Sequence, residues 1–172
     1  FEKGLNVLLT DIKRIPPSSV DPTIKNYHWI DLVTGMLNAY EKGNDTAILV
    51  DENNNITEGP GFNIFCVHES RIFTPNYGVL EGITRQTVFD LANELNLSIS
   101  KQSISVKDFH SSSEIFATST AGGIMPITKI SGNKVNNGKV GKITKKLHKL
   151  YWEKHVDENW SESLADIFNI TN

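Results

Sequence analysis

The chain has 172 residues, room for one ordinary domain, and its 38% hydrophobic and 22% charged content is that of a folded globular chain rather than a disordered one. A formal net charge of −3 gives no electrostatic pull toward nucleic acid, and no apolar run is long enough to cross a bilayer. A lone cysteine, Cys66, excludes an internal disulfide and fits a reducing compartment, so a cytoplasmic protein is expected.

The chain opens at Phe1 rather than at a methionine, and reads as the C-terminal portion of a longer protein. Residues 5–13 have the Leu/Val/Ile content of a strand. Pro16, Pro17 and Pro22, with Ser18, Ser19 and Asp21, mark an extended loop that Lys25 closes. Ile30, Val33, Leu37 and Tyr40 recur at helical spacing, and Gly43 is a helix stop. Residues 47–50 form a short apolar strand, 51–55 are turn residues, and Ile56-Thr57 begins a return strand. Residues 62–67 and 71–74 continue the β pattern. A second helix is predicted over 84–95, with Val88, Leu91, Ala92 and Leu95 on one face. Residues 99–106, 114–118 and 124–130 are strand-like. A last helix covers 142–155, with Ile143, Leu147, Leu150 and Tyr151 inward and Lys142, Lys145, Lys146 and Lys149 as a solvated face. The tail after Trp160 starts acidic and carries no clear signal. The order is that of an α+β domain with many strands and about three helices.

Three features carry chemistry. Lys25 follows the proline-rich turn; alone it reads as a surface charge, but a lysine whose pKa is depressed by burial or a nearby cation is a nucleophile. Glu58 ends a hairpin before Gly59-Pro60-Gly61, small residues that would let backbone approach a flat ring. Alone it is a glutamate beside a turn. Gly82-Ile83-Thr84-Arg85 opens the second helix, whose free N–H groups suit a phosphate, while Thr84 offers a hydroxyl or a helix cap. Ser119 and Thr120 could donate to the same phosphate, with Ala121-Gly122-Gly123 keeping one wall low. An amine for a Schiff base, an acid for a pyridinium proton and hydroxyls for a phosphate are together the requirements of pyridoxal 5′-phosphate. His148 and His155 lie two turns apart with no third ligand and no paired cysteines, so no metal site is expected. Tyr27, Trp29 and Phe62 read as core or turn aromatics, or as the lining of a pocket for a hydrophobic amine.

The segments Asp21-Pro22-Thr23-Ile24-Lys25-Asn26, Thr57-Glu58-Gly59-Pro60-Gly61-Phe62-Asn63-Ile64, Gly78-Val79-Leu80-Glu81-Gly82-Ile83-Thr84-Arg85 and Thr120-Ala121-Gly122-Gly123-Ile124-Met125-Pro126-Ile127-Thr128 occur in that order. With Gly141-Lys142-Ile143-Thr144-Lys145-Lys146 and Tyr151-Trp152-Glu153, they span nearly the whole chain. Together they resemble the C-terminal domain of class IV (fold-type IV) pyridoxal-phosphate aminotransferases, a group that includes branched-chain and D-amino-acid aminotransferases and aminodeoxychorismate lyase. The resemblance is nearest to the (R)-selective amine transaminase and branched-chain aminotransferase-like branch.

The resemblance implies a pseudo-barrel of mixed strands, with residues 1–172 as the cofactor-binding domain and an N-terminal domain outside this chain. That domain would supply a phosphate-binding arginine and much of the substrate pocket. Lys25 would be the Schiff-base lysine and proton shuttle, Glu58 the partner of the ring nitrogen, and Leu80 the residue packed on the ring face. Ile83, Thr84, Ser119 and Thr120 would hold the phosphate, with Gly82 and Arg85 structural in that turn. Trp29, Phe62, Ala121 and Gly122 would border the substrate. Ser119 stands where threonine is usual, keeping the hydroxyl, and Pro60 where serine or alanine is usual. The implied reaction moves an amino group between a primary amine or branched-chain or D-amino acid and a 2-oxo acid, in a homodimer. A class IV lyase, or a fragment inactive without its N-terminal domain, are the alternatives; the lyase would need no amino acceptor.

Overall fold

The computed structural model describes residues 1–163; the end of the tail, 164–172, lies outside the described residues. Its strands are β1 (Leu5–Lys13), β2 (Thr46–Val50), β3 (Asn63–His68), β4 (Arg71–Thr74), β5 (Ile99–Lys101), β6 (Glu114–Ser119), β7 (Gly123–Ile130) and β8 (Asn133–Lys134). The helices are α1 (Ile30–Glu41), α2 (Ile83–Glu94), α3 (Val106–His110) and α4 (Lys142–Lys154), with a 3₁₀ turn at Asn136–Gly138. The strands form one sheet in the order β2-β1-β7-β6-β3-β4-β5, with β8 beside β7. β1 pairs in parallel with β2 and β7, and β4 with β5; the β3–β4, β3–β6, β6–β7 and β7–β8 pairs are antiparallel. This is the α+β architecture expected from the sequence, with α3 as a fourth helix.

Strand alternation sorts the core into layers. Ile64, Cys66, Ile115, Ala117 and Ile127 pack on one face with Phe109 of α3. Phe65, Val67, Phe116 and Ile124 face the other way, against Val88, Leu91 and Ala92 of α2 and Leu147 and Tyr151 of α4. Because β3 is buried on both faces, it reads as a continuous apolar run rather than an alternating one. α4 is fixed to this layer by Glu114 of β6. Its carboxylate accepts from the N–H groups of Ile143 (3.0 Å) and Thr144 (2.8 Å) and from the Thr144 hydroxyl (2.8 Å). A Cβ at position 141 would overlap the Glu114 carboxyl group, so glycine there leaves room for this carboxylate cap.

Three expectations change. The apolar stripe of α1 faces outward: Ile30, Leu37 and Tyr40 are 73%, 54% and 54% exposed. The packed face is Leu32, Gly35 and Ala39, laid on Leu8, Ala47 and Leu49. Gly35 sits so near the sheet that a Cβ would come within 2.8 Å of Leu49 Cδ1. Close approach of backbone to sheet, rather than side-chain bulk, selects the buried face here. Second, the strand expected over 99–106 is only Ile99–Lys101, because Ser105 starts α3. The Ser105 hydroxyl accepts from the Asp108 N–H at 3.1 Å and donates to its carboxylate at 2.7 Å. Ser105-Val106-Lys107-Asp108 is thus a helix-start signature that outweighs local β propensity. The expected return strand at Ile56-Thr57 is an isolated bridge from Val50 to Ile56.

Candidate active site

The apolar α2–α4 face of the sheet ends in a polar pair. Asn63 and Thr118 are opposed across β3 and β6, one pleat beyond Phe65 and Phe116. They lie where α2 begins, and a cavity of about 390 Å³ opens there, within the size range of small-molecule sites. Lys25, Glu58, Leu80, Ile83, Thr84, Ser119 and Thr120 all line it, as do Trp29 and Phe62. Ala121 and Gly122 are not among its lining residues. They turn the chain from β6 into β7, where the Gly122 N–H donates to Ser119 Oγ at 3.0 Å and the Met125 side chain lies against Gly122.

Glu58 is held from two sides in this lining. It is 5% exposed, and Oε2 accepts the Leu80 N–H at 3.0 Å while Oε1 accepts Arg14 Nε at 3.1 Å. Asn63 Nδ2 lies 3.5 Å from Oε2 and donates to the Leu80 carbonyl at 2.8 Å, locking the Leu80 backbone to the strand. Burial pushes the Glu58 carboxyl above the ordinary glutamate range, against the opposing pull of the Leu80 N–H and the Arg14 guanidinium. Arg14 is itself shared: Nη1 donates to Asp31 Oδ2 at 2.7 Å, and the same oxygen accepts the Ile15 N–H at 2.7 Å.

Of the small residues after Glu58, Gly59 and Gly61 line the cavity. A Cβ at Gly59 would overlap the Phe62 ring, so the glycine makes room for that side chain. Gly82 is the N-cap of α2, and no side chain caps the helix. Thr84 therefore lies in the first turn as a buried cavity-lining residue rather than as the cap. Arg85, 1% exposed, ties this turn to β4 through Thr74 Oγ1 (3.3 Å) and the Pro75 carbonyl (2.6 Å). The α2 N-terminus thus presents free backbone donors on a fixed frame. Thr118 Oγ1 is buried in the floor and, among the described residues, has no hydrogen-bond partner.

Lys25 lines the same cavity from the loop over residues 14–29, where its side chain is exposed. Large apolar side chains stand in solvent here: Ile24 and Ile83, which line the cavity, are 63% and 83% exposed, and Tyr27 on the loop of Lys25 is fully exposed.

Arg14, Asp31, Asn63 and Thr118 are site residues that sequence reading missed. Arg14 pairs with a carboxylate 44 positions away, a separation no local pattern reports. Asp31 did leave a signal, as an acid on the helix face that Gly35 and Ala39 bury.

Comparison with known proteins fits this geometry. The family model described as amino-transferase class IV matches residues 2–130. The chain belongs to the class IV aminotransferase family. Among its relatives in that family, the branched-chain-amino-acid aminotransferase of Escherichia coli K12 is 30% identical over 157 residues, covering 88% of this chain and 50% of that protein. The solved branched-chain aminotransferase of Thermobaculum terrenum, in its PLP (holo) form, superposes with a TM-score of 0.84 at 29% identity, over 88% of this chain and 51% of that one. The enzyme from Thermoproteus uzoniensis, solved with norvaline, gives a TM-score of 0.86 at 28% identity, over 92% and 54%. The chain spans about half the length of the curated class IV relatives it matches. Among its described residues, no helix is long and apolar enough to cross a membrane.

Proposed function

We propose that this chain is the cofactor-binding C-terminal domain of a pyridoxal-phosphate-dependent aminotransferase. The reaction would move an amino group between a primary amine or a branched-chain or D-amino acid and a 2-oxo acid. The observation that carries the reading is that one cavity is lined by a buried carboxylate, Glu58, by a helix N-terminus with no side-chain cap among the described residues, and by a lysine.

The residues fit the cofactor. The uncapped start of α2 at Ile83 and Thr84, with the hydroxyls of Ser119 and Thr120, would hold the phosphate. The unpartnered Thr118 hydroxyl is a further donor that a polar ligand would satisfy. Glu58 would face the ring nitrogen and Leu80 the ring. When bound, pyridoxal 5′-phosphate supplies an aldehyde that captures a primary amine and a protonated ring that withdraws electrons from the neighbouring carbon. Lys25 Nζ would hold the cofactor between turnovers and carry the proton removed from the substrate carbon. Glu58, kept in place by the Leu80 N–H and Arg14, would as a carboxylate accept a hydrogen bond from the ring nitrogen and so keep that nitrogen protonated. Trp29 and Phe62 would exclude water from the substrate side.

Lys25 is exposed, whereas a lysine nucleophile is activated in a desolvated pocket. An N-terminal domain, and a second copy in a homodimer, would cover its loop and the exposed apolar side chains of Ile24, Tyr27 and Ile83. Both belong to the proposal, as does an aqueous reducing compartment such as the cytoplasm.

The test uses the intact protein with added pyridoxal 5′-phosphate. A yellow species that borohydride fixes onto Lys25, and amino transfer that requires a 2-oxo acid, are the expected results. Steady turnover by Lys25→Ala would overturn the assignment of the nucleophile. Turnover without any 2-oxo acid would shift the reading to elimination.

A further inference from the structure

Asp31 is not among the residues to which the proposed reaction assigns a role, yet it is tied to two parts of the site. It lies at the second position of α1, 7% exposed. One oxygen, Oδ2, accepts both the Ile15 N–H and Arg14 Nη1, each at 2.7 Å. Those donors sit where the chain leaves β1, and Asp31 sits where it enters α1. A single carboxylate therefore closes the neck of the loop that carries Lys25. Closing a flexible loop costs entropy that the contacts at its base must offset, and here two charge-assisted hydrogen bonds do so.

Arg14 extends the link to the far wall. Its Nη1 is on Asp31 and its Nε is on Glu58. All three side chains are nearly buried, so their interactions are weakly screened. The cluster carries two carboxylates and one guanidinium, a formal charge of −1. That balances one protonated ring nitrogen, whereas an isolated Arg14–Glu58 pair would balance none.

We infer that Asp31 is a positioning residue that fixes the Lys25 loop at its neck and, through Arg14, sets how firmly Glu58 holds a proton. The inference rests on the pyridoxal-phosphate reading of Lys25 and Glu58, but the contacts exist without the cofactor and are tested without it. The charged groups that face Glu58 are Arg14 and Asp31; Asn63 and the Leu80 N–H are its neutral neighbours. Removing the Asp31 charge leaves Arg14 acting on Glu58 alone, which favours the Glu58 carboxylate.

The experiment compares wild type, Asp31→Asn and Asp31→Ala in the intact, cofactor-free protein. Carbon-13 NMR follows the Glu58 carboxyl titration, and amide exchange follows Ile15. The Glu58 midpoint is expected to fall in Asp31→Asn at unchanged circular dichroism, a change that a purely structural role would not produce. Ile15 exchange is expected to accelerate at least about tenfold in Asp31→Ala, the factor implied by losing one hydrogen bond to a charged group. An unmoved midpoint together with unchanged Ile15 exchange would overturn the inference. Should neither variant fold, wild type decides: the Ile15 amide must exchange at least about tenfold more slowly than that of exposed Lys25, and equal rates would refute the neck contact. Pyridoxal 5′-phosphate is then added. With cofactor bound, the pH midpoint of its visible absorbance is expected to lie lower in Asp31→Asn than in wild type. Failure of wild type to bind it would sink the proposed function, and the cofactor-free results would still decide the role of Asp31.

Discussion

Replacing Thr118 by valine should change stability and ligand affinity in opposite directions. The two side chains have nearly the same shape, and the substitution removes one hydroxyl. That hydroxyl is 2% exposed as a residue and has no partner among the described residues, so the cofactor-free fold carries its desolvation cost uncompensated. An unsatisfied buried polar group costs about 1–3 kcal/mol, and Thr118→Val should stabilise the cofactor-free protein by roughly the lower end of that range. For a chain of this size, about 1 kcal/mol corresponds to a melting shift of about 2–4 °C. Urea denaturation at fixed protein concentration measures the same quantity as a rise in midpoint at constant slope. With pyridoxal 5′-phosphate the advantage should shrink, because the wild-type hydroxyl then gains a partner; about 1.4 kcal/mol of lost interaction is a tenfold weaker Kd. The result that refutes the reasoning is a clear destabilisation of the cofactor-free protein by valine. It would mean that the hydroxyl already has a hydrogen-bond partner in the folded state.

Three further outcomes follow from particular contacts. Glu58 has a folded pKa raised above its unfolded value, so its contribution to stability is fully present below the ordinary glutamate range and is lost as pH rises through the raised value. The melting temperature of the cofactor-free protein should therefore carry a downward component across that interval, absent in Glu58→Gln; an identical pH profile in the variant would count against it. Glu114→Ala removes three hydrogen bonds and a negative charge from the start of α4, and should cost roughly 2–3 kcal/mol in urea denaturation. A cost below about 0.5 kcal/mol would show that water replaces the carboxylate. Cys66 is buried in the sheet with its thiol pushed up to about 11, so a thiol reagent should label it only on unfolding. Labelling of the native protein at the rate of a free thiol would contradict that burial.

Local physics in the sequence was enough for the elements whose hydrophobic period matches their packing. β1 and β2 fall where the Val/Leu/Ile runs lie, and α2 and α4 bury the stripes that Val88-Leu91-Ala92 and Leu147-Tyr151 announce. The lysine, the acid and the glycine-led helix start that the sequence singles out by residue type line one cavity. α1 was misleading, since its most apolar stripe faces solvent and its buried face is defined by Gly35 and Ala39. A small residue signals close approach only when the surface it approaches is known. Tertiary structure alone decided the company of Glu58. Arg14 follows β1, Asp31 lies on α1 and Asn63 on β3, and partners brought together by the fold from separate segments leave no periodicity to read. Residue chemistry is written along the chain, whereas the field around each residue comes from segments that meet only after folding.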